Sequence, residues 1–193
     1  MSLISHNGLK LLVAKGIITN VKPEQINSAS IDITLGRYIL FEDTRFDAPT
    51  IGDPHRTVPV RRTISLKRRD PLATNRLDLR DGEWYLEPGQ FVLAQSEQVF
   101  NLPTNISAEY KLKSSMARIG LEHLNAGWCD AGWNGSVLTL ELKNMTQYHN
   151  IELDEGVGIG QVVFYEHEPV PMDRSYAVRG RYNRDTTVSG IKE

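Results

Sequence analysis

Ser136-Val137-Leu138-Thr139-Leu140-Glu141-Leu142 alternates along its length. In an extended chain Leu138, Leu140 and Leu142 fall on one face, and Val137, Thr139 and Glu141 on the other. Such a period-two run describes a strand with one apolar face turned to a core. The pattern recurs outward in the chain at Ile31/Ile33/Leu35, Tyr38/Leu40, Phe91/Leu93 and Val162/Phe164. Turn signals punctuate the runs at Glu87-Pro88-Gly89-Gln90, Asp154-Glu155-Gly156 and His167-Glu168-Pro169. Helical spacing shows at Ser5–Lys15, where Leu9, Leu12 and Val13 share a stripe, Ser5 is the candidate N-cap and Gly16 the stop. Ser114-Ser115 before Met116-Ala117-Arg118 reads as a second helix N-terminus capped by a hydroxyl. Many short strands and few helices predict a mainly β sandwich or barrel.

The chain of 193 residues is the size of one domain with a real core, and it shows no internal repeat. Its 40% hydrophobic and 24% charged content is that of a soluble globular protein. A net charge of −2 gives no reason to expect a nucleic-acid partner held by bulk charge. No apolar run approaches the roughly 20 residues that span a bilayer. Met1-Ser2-Leu3-Ile4-Ser5-His6 lacks the regions of a signal peptide, so a cytoplasmic location is expected. The stretch from Glu42 to Arg80 fits worst. It holds Pro49, Pro54, Pro59 and Pro71 with the cations Arg61, Arg62, Lys67, Arg68 and Arg69, and reads as a long solvated excursion with one hairpin.

Polar chemistry is concentrated in three pieces. Lys113-Ser114-Ser115-Met116-Ala117-Arg118-Ile119-Gly120-Leu121 sets two hydroxyls beside cations. Asn125-Ala126-Gly127-Trp128-Cys129-Asp130-Ala131-Gly132-Trp133-Asn134-Gly135 adds a carboxylate among glycines. Thr139-Leu140-Glu141-Leu142 frames a second carboxylate with leucines. This inventory suits a site that holds phosphate oxygens, lets backbone approach a ligand and moves a proton.

These pieces resemble the dCTP deaminase branch of the dUTPase-like superfamily. The likeness continues in order through Ser30-Ile31-Asp32-Ile33-Thr34-Leu35-Gly36, Tyr85-Leu86-Glu87-Pro88-Gly89-Gln90, Ile159-Gly160-Gln161-Val162-Val163-Phe164 and Gly180-Arg181-Tyr182. It implies a distorted jelly roll, a dUTPase-like β-barrel, over residues 1–193, working as a homotrimer with shared active sites. It also implies a flexible C-terminal lid over about 175–193 and Mg2+ carried with a triphosphate. By the same resemblance Glu141 transfers the proton, Ser114 positions the attacking water, and Lys113, Ser115 and Arg118 hold the triphosphate. The Ala126 carbonyl contacts the pocket water, Asp130 accepts from the sugar 3′-hydroxyl, and Thr139 and Leu140 border the substrate. In the tail Tyr176 faces base or phosphate, Arg181 stands for the family's Lys, Tyr182 follows it, and Asp185 aligns with the usual Gln.

The residues alone also allow plainer readings. Glu141 faces solvent on an outer strand, Ser114-Ser115 only caps a helix, Asp130 bonds its own turn, and the tail is frayed. Gly156, Gly158 and Gly160 fit strand-end turns better than a phosphate loop. Cys129 is the only cysteine, which excludes an intrachain disulfide. It also argues against the zinc nucleobase deaminases, which need a Cys-x-x-Cys pair, so any deamination by this chain is expected to run without zinc. Relative to the family one residue is missing between Leu121 and His123, and one is extra between Gly135 and Glu141, where a β-bulge near Ser136 would absorb it. Three functions follow. The first is deamination of dCTP to dUTP and ammonia. The alternative is a bifunctional enzyme giving dUMP and diphosphate, to which Trp128 points, or a plain dUTPase. The third is a non-catalytic nucleotide sensor.

Overall fold

The computed structural model describes residues 2–43, 47–50, 53–59 and 64–192, the two short middle stretches for their backbone alone. Five long strands carry the architecture: β1 (Ile31–Glu42), β2 (Phe91–Asn101), β3 (Ile106–Leu112), β4 (Asn134–Asn144) and β5 (Gly158–Glu166). They form one curled antiparallel sheet in the order β4-β2-β1-β5-β3. Leu121–Glu122 pairs with β4 and Trp128–Cys129 with β3, so both outer strands have a short partner. Strand β1 is where the sheet turns. Its start, Ile31–Thr34, pairs with β5, while Leu35 and Ile39–Phe41 pair with β2. A strand of 12 residues is long enough to serve both halves of the half-barrel.

The period-two pattern forms in each strand, but at two places the core takes the other face: Ile39 is buried instead of Tyr38 and Leu40, and Val92 and Ala94 instead of Phe91 and Leu93. Ile31, Ile33, Leu35 and Ile39 of β1 pack with Phe100, Leu140, Leu142, Val162 and Phe164 in a single core. Full burial of each such side chain contributes about 1.5–3 kcal/mol. In β4 the pairing with β2 shifts register between Asn134 and Ser136 and again between Val137 and Thr139. The extra residue expected near Ser136 is absorbed there by a bulge-like irregularity.

Helix α1 (His6–Ala14) seats Leu9 and Leu12 on the core and ends before Gly16, whose φ of 69° suits glycine. Ser5 stands at its N-cap without a side-chain cap bond. Helix α2 (Ser114–Arg118) forms where expected, but it has only five residues, Lys113 occupies the N-cap, and no hydroxyl caps it. The helix is set by its flanking strands rather than by a serine cap. The excursion contains the expected hairpin, Asp47–Thr50 against Asp53–Pro59. Lys67, Arg68 and Arg69 are exposed, and Arg61 and Arg62 lie outside the described residues. The returning chain is not wholly solvated, because Thr74–Asp78 pairs with β1.

Candidate active site

Residues opposite each other on paired antiparallel strands share a face of the sheet. Glu141 lies opposite Leu93, Thr139 opposite Gln95 and Lys143 opposite Phe91. Phe91, Leu93, Gln95, Thr139 and Glu141 therefore project together, away from the core residues Leu140 and Leu142. A cavity of about 560 Å³ lies against this face, within the usual range for small-molecule sites. Ala126, Trp128 and Asp130 close one side, and Ile64, Asp70 and Leu72 bring the end of the excursion over another. The solvated reading of that excursion is corrected here.

Glu141 is a half-buried carboxylate at this face. Its side chain is 27% exposed. Burial raises its carboxyl above the ordinary value, only partly offset by a hydrogen bond from its own backbone. A partly dry carboxylate of raised pKa suits a group that takes and returns a proton. Its oxygen Oε2 makes no hydrogen bond and lies 3.8 Å from His123 Nε2. Burial pushes the His123 imidazole down to about 4, so it is neutral at physiological pH. Asp130 is held from behind: Trp128 Nε1 donates to its Oδ1 at 2.8 Å, and the Trp128 ring stacks on Tyr165. Cys129 is buried, its thiol pushed up to about 12 by desolvation, and is inert as a nucleophile.

The C-terminal segment, read as a lid, packs over the cavity of its own chain. The Tyr182 carbonyl accepts from Trp133 Nε1 at 2.9 Å and from Ser136 Oγ at 2.8 Å. The Asp185 carbonyl accepts from the Val137 amide at 2.9 Å. Gln95 Oε1 accepts from Thr187 Oγ1 and the Val188 amide, both at 3.0 Å, and Val188 is buried. These bonds replace the frayed tail with a fixed wall. Tyr176, Tyr182 and Asp185 line the cavity as expected. Asp185 is ion-paired with Lys192, which offsets a negative charge that would repel phosphates.

The structure brings together Glu141, Ala126, Asp130, Thr139, Tyr176, Tyr182 and Asp185 but leaves other expected residues elsewhere. Leu140 is fully buried in the core, because strand alternation turns it away from Glu141. Ser114, Ser115 and Arg118 are exposed on α2 and do not line this cavity; Arg118 borders a separate depression with Met116 and Ile119. Lys113 is ion-paired with Asp32. Arg181 is exposed and also lies off the lining. Consequently the described lining holds four carboxylates, Asp70, Asp130, Glu141 and Asp185, and no Lys or Arg. Sequence reasoning missed Gln95, Trp133 and the Ile64–Leu72 return. Gln95 was within reach, since it continues the Phe91/Leu93 alternation onto the cavity face.

Fold and cavity together place the chain among enzymes built on the dUTPase-like sheet. Residues 4–167 match the family described as dCTP deaminase-like. A relative named dCTP deaminase, dUMP-forming, from Methanosphaerula palustris is 33% identical over 175 residues, covering 89% of this chain and 85% of its own. One of the same name from Methanospirillum hungatei JF-1 is 38% identical over 147 residues, covering 76% and 70%. The crystal structure of 2′-deoxycytidine 5′-triphosphate deaminase from Agrobacterium tumefaciens superimposes with a TM-score of 0.61 at 23% identity, a likeness of fold. That alignment covers 84% of this chain and 47% of the neighbour, so this chain spans about half its length. The chain belongs to the dCTP deaminase family. No helix among the described residues is long and apolar enough to cross a membrane.

Proposed function

We propose that the protein deaminates dCTP and carries the nucleotide on to dUMP, so that dCTP and two waters give dUMP, diphosphate and ammonia. The observation that carries the first step is the half-dry Glu141 on the wall of a nucleotide-sized cavity. Phe91, Leu93 and Leu72 offer the cytosine ring an apolar wall. Glu141 takes a proton from the water that attacks C4 and delivers a proton to the departing ammonia. A second water then attacks the α-phosphorus, with Asp130 as its base, and the bond to diphosphate breaks. Release of dUTP, the reading taken first from the residues, yields to this one. Trp128 fixes Asp130 by a direct hydrogen bond, and the relatives at 33% and 38% identity are named dUMP-forming.

A triphosphate needs cations, and the described lining offers none of its own. We therefore read the working enzyme as a homotrimer in which Lys113, Ser114, Ser115 and Arg118 of one copy complete the cavity of the next. Mg2+ enters with the triphosphate as part of the substrate; among the described residues no three His, Cys, Asp or Glu side chains cluster to hold an ion.

Phosphorus NMR with an ammonia assay on dCTP tests the reading. Equal amounts of ammonia and diphosphate are expected, with dUMP as the nucleotide product. Ammonia with accumulating dUTP would restore the simpler deaminase. Diphosphate without ammonia, or tight binding without turnover, would overturn deamination altogether.

A further inference from the structure

Three buried polar side-chain atoms make no hydrogen bond among the described residues: Tyr110 Oη, His123 Nε2 and Glu141 Oε2. They are neighbours. His123 Nε2 lies 3.8 Å from Glu141 Oε2, and the rings of His123 and Tyr110 stand 4.3 Å apart, tilted by 58°. Buried polar groups are nearly always paired, so three neighbouring orphans, Glu141 among them on the cavity wall, call for a reason.

The housing is built around them. A Cβ on Gly160 would stand 2.1 Å from the Tyr110 ring, and one on Gly127 would stand 2.4 Å from the Tyr110 carbonyl oxygen. Strand β5 and the turn before Trp128 can close on Tyr110 only because both positions are glycine. Tyr110 then packs its ring against the imidazole. Apart from each other, the ionisable groups coupled to this cluster are Glu122, whose charge raises the His123 imidazole, and Cys129, on which the Glu141 charge acts.

We propose that His123 is a positioning residue for Glu141: as a neutral imidazole it donates from Nε2 to Oε2, pinning the inner oxygen and leaving Oε1 for the proton transfer. The inference rests on the reading of Glu141 as the proton-transferring group. At 3.8 Å the bond is not made in the substrate-free chain. Catalytic hydrogen bonds of this kind are often long before substrate arrives and tighten in the complex. A neutral donor suits the task better than a cation. It orients the carboxylate yet lowers its pKa less than an imidazolium would, so Glu141 stays basic enough to accept a proton.

The experiment is the pH profile of ammonia release from dCTP by the full chain and its His123→Phe, His123→Gln and His123→Asn variants. Phe keeps an aromatic ring against Tyr110 but cannot donate. Loss of the donor should move the acid limb up by about one pH unit and lower kcat about tenfold, with KM within about twofold. Gln, whose amide reaches the Nε2 position, should restore the limb, and Asn, which is shorter, should not. An unchanged limb in the Phe variant, or equal behaviour of Gln and Asn, would overturn the proposal. Should the Phe variant not fold, nitrogen NMR of the wild-type chain decides, with the His123 signal assigned by its loss in His123→Gln. An Nε2–H tautomer is expected, and an Nδ1–H tautomer refutes the donation. Glu141→Gln separates the two levels. If that variant still deaminates, the reading of Glu141 has failed; if it is dead while His123→Phe matches wild type, only the role of His123 falls.

Discussion

Glu141 meets opposite demands in one side chain: it must be ionised to act as a base, and it sits where ionisation is disfavoured. Replacing it with Gln keeps the shape and removes the base. Ammonia release should fall by at least about 10², the usual scale for a positioned general base, while dCTP affinity stays within a few-fold. Turnover above a tenth of wild type would refute the assignment. The same substitution has a stability signature. The folded-state pKa lies above the unfolded one, so the folded chain binds the proton more tightly and stability falls as pH rises through the window between them. Above that window the penalty is constant, and Gln does not carry it. Glu141→Gln should therefore melt higher than wild type at pH 8, on the order of 2 °C, and lose its advantage as pH drops below the unfolded carboxyl value of 4.5. A lower melting temperature for the variant at pH 8 would show the ionised carboxylate to be stabilised in the fold.

Helix α2 shows how an element can carry a motif to an unexpected place. Its two hydroxyls and Arg118 are exposed and lie off the Glu141 cavity, with Arg118 bordering a separate depression. If α2 serves the phosphates of a neighbouring site, Arg118→Ala removes a charge-assisted bond and should weaken dCTP binding about tenfold to a hundredfold. The loss should shrink at high salt, because wild-type affinity itself falls with ionic strength. Titration of each protein with dCTP at low and high salt checks this. Equal affinities at low salt would make Arg118 a surface residue. Strand β4 was easier to foresee. Its alternation sets which face meets the core, and the irregular pairing around Ser136 keeps Glu141 on the cavity side despite the extra residue.

At the scale of the whole molecule, the arrangement predicts which defects can complement. Glu141 and the tail line one cavity in one chain, whereas α2 does not. Mixed trimers of Glu141→Gln and Arg118→Ala chains contain sites that receive an intact cavity from one copy and an intact α2 from the next. After random exchange about a quarter of the sites should be whole in a cyclic trimer. Mixing Glu141→Gln with a chain ending at Val178 should restore nothing, since both defects then strike the cavity-bearing copy. Recovery in the second mixture but not the first would place the tail, not α2, on the neighbouring subunit. A monomer by light scattering would remove the shared site entirely.

Local order was largely decided by the sequence. Period two gave away the strands, and glycine and proline marked their ends, because each of these depends on residues near in the chain. The resemblance likewise carried Glu141, Asp130, Ala126 and Tyr182 to positions that meet in space. Other facts needed the tertiary structure. That Leu72 and Leu93 share a cavity with Ile191, or that His123 meets Glu141 beside Tyr110, depends on contacts between distant segments that no local pattern encodes. So does the separation of α2 from the cavity, because strand pairing around β1, and not adjacency in the motif, sets where each side chain points.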